Sequence, residues 1–406
     1  MSSNQLVTHS GNPVLKVIAM VLLALYPLLN WYAISFPIPL GMALILGISV
    51  SGLVISGFRF EVFPLFFYMT ILYVFFIWSY RRGFSLNSLL PPGGTLFFIF
   101  LISLGGCTSL FDLKVLRRVM GVVVAISIPL FWIQFISLHT VGEMYCFVPN
   151  LTGHFSYEDM TYAQLVANQK SLKSPCSIFL EKSYMGYYLA AYLCLRLYSS
   201  DIKDKYYSPQ NIIICLTLLF LRSGSGILAM IVLMAVKMIS EYSSSNNKRR
   251  FAMLLLMTPV LLLAAYSYVN TDIGSSVVDR TEEFHTEGAS GYVRTVAGYV
   301  VYGAMPLQER IFGTTVDNVT AYSDFDYISS NRFYANGIQT ILMTLGAVGL
   351  ILYLLFYGFV FRRGDILVKM SIITLLLFSL IESDYLNPYH LLLTAIPCAI
   401  VYHHNR

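Results

Sequence analysis

Charge is what this chain has least of. Only 12% of its 406 residues are Asp, Glu, Lys or Arg, while 57% are hydrophobic and the mean hydropathy is +0.68. Water-soluble domains carry about 25% charged residues. At half that density the chain cannot coat a water-facing surface, so its outside must meet hydrocarbon. A soluble enzyme, a nucleic-acid binder and a disordered chain are excluded. The balance of 26 basic against 21 acidic residues gives +5, but in such a chain placement matters more than the total.

Metal-ligand spacing is also missing. The six cysteines (Cys107, Cys146, Cys176, Cys194, Cys215 and Cys398) form no C-x-x-C pair, so neither a metal nor a cofactor is expected. Four of them fall in or beside apolar runs, where a thiol acts as a small apolar group. Cys146 and Cys176 share a polar loop, and an oxidising compartment could join them. His403 and His404 read as a solvated tail. Residues 1–13 hold no Lys or Arg, and no small-residue cleavage site follows the first apolar run. That run is therefore expected to be a permanent span rather than a cleaved leader, and no lipidation motif replaces it. No internal repeat is visible, which weakens an inverted-repeat transporter.

Long apolar runs are abundant. A membrane helix needs about 20 mostly apolar residues. Runs near 14–34, 37–57, 62–80, 88–106, 117–138, 177–198, 209–223, 226–242, 251–269, 335–361, 366–382 and 388–402 meet or approach that length. They are continuous rather than alternating, which excludes a strand barrel. The chain reads as an all-α integral membrane protein of about 12 transmembrane helices. With both ends cytoplasmic, sixteen of the 26 basic residues lie at the inner face, among them Arg117, Arg118, Lys248, Arg249, Arg250, Arg362 and Arg363. Arg81 and Arg82 violate this unless 89–106 is re-entrant.

Five regions follow: five membrane helices in 1–138, an outer loop at 139–176, four helices in 177–269, a large outer loop at 270–334, and three helices in 335–406. The larger loop holds nine acidic residues against Arg280, Arg294, Arg310 and Arg332. Its stretch from Tyr292 to Leu307 is apolar enough for a helix at the membrane surface, so an ordered loop is expected.

Three places could carry chemistry, because an unpaired charge at mid-bilayer costs about 2.5–3.5 kcal/mol or more. Glu181, in Phe179-Leu180-Glu181-Lys182, is either an interfacial ion pair with Lys182 or a general base held in an apolar frame. Arg222-Ser223-Gly224-Ser225-Gly226 is either a tight turn or an anion nest with an adjacent guanidinium. The large loop offers Arg280, Arg294 and Arg332, whose guanidinium forks hold phosphate bidentately; Arg310 could equally be a snorkelling anchor. Tyr292 and its aromatic neighbours suit sugars, or form an interfacial belt.

At these residues the chain resembles the bacterial polysaccharide polymerases of the Wzy type, most closely those of colanic acid. The resemblance rests on Phe179-x-Glu181, the Ser/Gly break at 223–226, the Thr-Glu-Gly-x-Ser-x-Tyr-x-Arg stretch at 286–294, and Asn336-Gly337 leading into an apolar span with Gly346 and Gly349. It covers roughly 175–360. Relatives often carry Pro after the glutamate, where this chain has Lys182.

The resemblance implies a GT-C-like, metal-independent glycosyltransferase of the bacterial inner membrane, with its active site on the periplasmic side. It would move a growing glycan from undecaprenyl pyrophosphate onto a new lipid-linked repeat unit, with a chain-length regulator and a flippase as companions. Arg280, Arg294 and Arg332 would bind pyrophosphate, assisted by Arg222, Ser223 and Ser225. Glu181 would take the acceptor proton, with His285 or Glu287 in reserve; Tyr292 and Asn336 would contact glycan. A ligase that passes finished glycan to another acceptor is the nearest rival reading. A flippase or transporter of lipid-linked sugars ranks third, because the spans between Val14 and Thr70 carry charge only at their ends.

Overall fold

The computed structural model describes residues 13–35, 38–55, 73, 76, 110–155, 160–200, 207–244, 290–314, 319–323, 328–329, 332–333, 335–381 and 388–404. The expected spans near 88–106 and 251–269, and all but Tyr73 and Phe76 of that near 62–80, lie outside these residues.

In chain order the elements are α1 (Pro13–Leu29), a hairpin of β1 (Ala33–Ser35) and β2 (Ile38–Pro39), α2 (Leu40–Ile55), α3 (Leu113–Thr140), α4 (Tyr162–Leu172), α5 (Lys182–Tyr198), α6 (Pro209–Leu221) and α7 (Gly224–Ser244). After these come α8 (Ser290–Tyr292), a π turn (Val293–Ala297), α9 (Gly298–Ala304), α10 (Leu307–Phe312), the strand pair β3 (Ile328–Ser329) and β4 (Arg332–Phe333), then α11 (Gly337–Arg363), α12 (Ile366–Ser379) and α13 (Pro388–His404).

The described chain is mostly helical. Within it α3, residues Gly224–Glu241 of α7, and α11 are long and apolar enough to cross a membrane. α1, α6, α12 and Tyr389–Val401 of α13 are apolar but shorter.

Helix starts follow local chemistry. Asp112 accepts from the N–H groups of Lys114 and Val115 at the start of α3, and Ser208 caps α6 ahead of Pro209. Thr161 with Gln164, and Asn336 with Gln339, form capping boxes on α4 and α11. The first expected span ends early, at Leu29, and the chain turns through the hairpin instead. β-Branched Ile34 and the prolines at 37 and 39 oppose a helix there.

α5 is buried around its circumference: from Tyr184 to Tyr198 only Tyr192 escapes burial. It packs against α3, α6, α7, α12 and α13, while α1 touches α2, α3 and α13. The α5–α7 crossing is close because it is lined by small residues. A Cβ on Gly226 would lie 3.1 Å from Gly186 Cα, and one on Gly186 would lie 2.7 Å from Ser223 Oγ.

Several contacts place the starts of α5, α7, α11 and α13 at one end of the bundle. Ser223 meets Gly186, a Cβ on Gly337 would sit 3.1 Å from the Ser379 carbonyl that ends α12, and Tyr389 stacks on Tyr184 with ring centroids 5.2 Å apart. Trp31 stacks on Tyr184 as well, at 4.7 Å.

The first long loop packs on this end. Tyr32 pairs with Phe155, and its hydroxyl donates to the Pro149 carbonyl at 2.7 Å. The second long loop packs a small core against α11, with Ala297, Val301, Met305, Val319 and Ala335 buried together with Met343 of that helix. The stretch expected to be helical there is helical, interrupted by the π turn.

α11 is broken inside. Gly346 adopts φ 70, ψ −175, and the segment after α10 fits into the break: the Thr314 N–H donates to the Met343 carbonyl at 3.0 Å. Tyr73 donates its hydroxyl to the carbonyls of Phe312 (2.9 Å) and Leu345 (3.2 Å). Carbonyls released by a broken membrane helix need such partners, because hydrocarbon offers none.

Candidate functional site

Glu181 is positioned by two buried amides. Gln134 is fully buried in α3; its Oε1 accepts from the N–H groups of Cys176 (3.0 Å) and Ser177 (2.7 Å), and its Nε2 donates to the Tyr145 carbonyl at 2.7 Å. Gln169 of α4 donates from Nε2 to the carbonyls of Phe179 (3.2 Å) and Leu180 (3.1 Å) and to Cys176 Sγ (3.3 Å). Between them Ser177 is held at φ 59, a left-handed conformation that costs a non-glycine residue free energy. The expected span beginning at 177 therefore becomes helical only from Lys182.

Phe179 turns inward beneath Tyr188, with ring centroids 5.5 Å apart, and Glu181 turns outward as the N-cap residue of α5. Its carboxylate favours the positive end of the helix dipole and accepts from Ser183 Oγ at 3.2 Å. The apolar frame read from the sequence does not enclose it: Glu181 is exposed, at the edge of a cavity of about 230 Å³ bounded by α4 and the start of α5.

At the second place, Arg222 is exposed and adopts φ 54 as the C-cap of α6. Ser223 and Ser225 are buried at 3% exposure, with their hydroxyls 3.3 Å apart, and Ser223 Oγ also accepts from the Gly226 N–H at 3.4 Å. The serines face the α5 crossing, and close approach to Gly186 gives the glycines a packing role independent of any anion.

At the third, Arg294 sits half-buried in the π turn. Asn336, the cap of α11, donates its Nδ2 to the Arg294 carbonyl at 2.6 Å across 42 residues of sequence. A Cβ on Gly298, one turn on, would strike the buried Gln339 side chain at 2.7 Å. Half-buried Tyr292 packs against the core of the second loop. Arg332 lies in β4, opposite Ser329. Arg280, His285 and Glu287 lie outside the described residues.

The structure therefore joins Arg294 to Asn336 and Ser223 to Ser225, and it puts Glu181, Arg222, Ser223, Ser225 and Asn336 at one end of the bundle. Gln134 and Gln169 are missing from the sequence reading, which tracked charges. For Gln134 the available signal was an uncharged amide inside an apolar run, which must find partners when buried; Gln169, between Asn168 and Lys170, carried no such signal.

Cys146 and Cys176, which share the first loop and could have been joined, are both free thiols. Cys176 Sγ instead takes the Gln169 bond and faces the Leu180 carbonyl at 3.8 Å. Burial pushes both thiols up from their ordinary 9.0, and a protonated thiol is a poor nucleophile. Iodoacetamide at neutral pH is expected to spare Cys176 in the native protein and to label Cys146 slowly, faster as pH rises. Denaturation without reductant should expose both; a pair labelled only after reduction would contradict the free thiols.

No protein-family model matches the chain, and no curated protein matches it.

Proposed function

We propose that the chain is a polysaccharide polymerase of the Wzy type, a multi-pass protein of the bacterial inner membrane with about 12 spans in a GT-C-like arrangement. The observation that carries this reading is the bond from Asn336 to the Arg294 carbonyl. It ties together two of the stretches on which the resemblance rests, and it does so on a π turn, a geometry frequent at functional sites.

In this reading a hydroxyl of the incoming repeat unit attacks the anomeric carbon of the growing glycan. The bond from that carbon to the undecaprenyl pyrophosphate oxygen breaks, and the hydroxyl proton passes to the Glu181 carboxylate, or to His285 or Glu287. Negative charge gathers on the departing pyrophosphate. Arg294, with Arg280 and Arg332, meets it with paired N–H donors, and Arg222 assists from the end of α6.

Arg294→Lys keeps the charge and loses the fork. Polymer formation by membranes carrying it is expected to fall on the order of 100-fold, and wild-type chain lengths from that variant would overturn the pyrophosphate role. Deleting the gene tests the class of function. Single repeat units on the final acceptor support a polymerase, long carrier-linked chains left untransferred indicate a ligase, and repeat units trapped inside the cell indicate a flippase.

A further inference from the structure

Beyond its break, α11 presents an apolar face that ends on a charge. Ile351, Leu354, Leu355, Gly358 and Phe361 are all exposed, and exposed Arg362 closes the row. At 3.6 residues per turn these positions fall on one side of the helix, with Arg362 near the middle of it. Gly358, one turn before Arg362, leaves a gap in the stripe, for nothing lies within 4 Å of where its Cβ would be. In a helix apolar enough to cross a membrane, a cation thus stands over a notch in a lipid-facing surface.

Two further cations flank it. Arg363 folds back along the helix, its guanidinium 4.1 Å from the centre of the Phe359 ring, so its charge stays level with the last apolar turn. From α12, Lys369 brings its Nζ to 5.8 Å from the Phe361 ring, on the other side of Arg362. Among the described residues none of the three has a carboxylate within ion-pair distance. The one acidic residue in this turn, Asp365, commits its Oδ1 to the Val368 N–H at 3.0 Å, capping α12.

Helix electrostatics explain part of this. The dipole of α11 favours Arg362 and Arg363 at its C-terminal end, but that of α12 disfavours a cation as near its start as Lys369. Three cations against one carboxylate, set at the end of an apolar band, attract an anionic headgroup, and guanidinium forks hold its phosphate by paired N–H donors. A soluble anion would satisfy the charges alone. The exposed stripe and its notch fit an apolar chain joined to that phosphate.

We propose that the α11–α12 edge binds one anionic phospholipid, its phosphate held by Arg362, Arg363 and Lys369 and an acyl chain lying along Leu355 and Ile351 over the notch at Gly358. In the orientation expected from the basic residues this is a lipid of the inner leaflet, at the opposite end of α11 from Asn336. The site does not depend on the polymerase reading, and its test reads lipid retention rather than glycan.

The test is native mass spectrometry of the full-length protein in detergent with dioleoyl phosphatidylglycerol and dioleoyl phosphatidylcholine in equal amounts. The anionic lipid should be retained at least about tenfold better. Replacing all three cations (Arg362→Gln, Arg363→Gln and Lys369→Gln) changes only side chains outside the core and should bring the preference within about twofold. Lys114→Gln with Arg118→Gln, at exposed positions on α3, should leave it unchanged. Gly358→Leu fills the notch without meeting a neighbour, so it should melt like wild type without lipid yet retain phosphatidylglycerol at least threefold less well. Equal retention of phosphatidylcholine, a preference that survives the triple variant, an equal fall in the α3 variant, wild-type retention by Gly358→Leu, or displacement of the lipid by millimolar inorganic phosphate would each overturn the proposal.

Discussion

Gly346→Ala and Gly313→Ala are each expected to cost several kcal/mol and to leave little folded protein in detergent. Gly346 lies at φ 70, ψ −175 and Gly313 at φ 76, ψ 173, a region essentially closed to residues with a Cβ, where strain alone costs about 1–3 kcal/mol. The second contribution is reciprocal. A Cβ on Gly313 would run into the Thr344 carbonyl, and one on Gly346 into the Ile311 carbonyl. These are backbone atoms that cannot swing aside as a side-chain tip can.

The two glycines thus form one interlock, which also holds the bond from Thr314 to Met343 and the Tyr73 hydroxyl bridge. A fall of roughly 5–10 °C in the apparent Tm is expected for either variant. The double variant should lose less than the sum, because the second substitution acts on an interlock already broken. Gly358 in the same helix is the control, with nothing within 4 Å of its Cβ position; there alanine should be neutral or gain up to about 1 kcal/mol. Wild-type melting of Gly346→Ala would mean that the break is not part of the native fold.

Gln134→Leu is the second large effect. It strands the N–H groups of Cys176 and Ser177 and the Tyr145 carbonyl in a buried site, each costing about 1–3 kcal/mol when unmatched. Gln134→Glu restores the acceptor but not the donor, and adds a buried charge. The expected result is early proteolytic cleavage between Pro175 and Glu181, together with a lower Tm and loss of polymer. Only the first of these locates the damage. Protection of that segment at wild-type level in Gln134→Leu would remove the amide from its assigned place.

How far the sequence could be read depended on whether the cause was local. The run near 117–138 becomes α3 at 113–140 because an apolar stretch and the Asp112 cap lie side by side in the chain. Asn336-Gly337 is likewise a visible start for α11. The break at Gly346 was invisible, since Thr344-Leu345-Gly346-Ala347 reads as ordinary helix with a small residue and its partner lies in the loop around Gly313. The Ser/Gly break at 223–226 was seen, but the reason it packs as it does is Gly186, on another helix. The same holds at Glu181. Its neighbours in sequence suggested an apolar enclosure, whereas Gln134 and Gln169, from two other helices, turn it toward solvent.

The burial of α5 on every side has a consequence for how such a chain is made. Its wall is completed by α13, which begins about 190 residues further along the chain and also rests on α1. Nearly half the polypeptide must therefore leave the ribosome after α5 has been inserted before its tyrosines find their final neighbours. A nascent product arrested ahead of Tyr389 would present those aromatic surfaces to lipid or to chaperones, and cellular quality control would have a clear signal for degrading it.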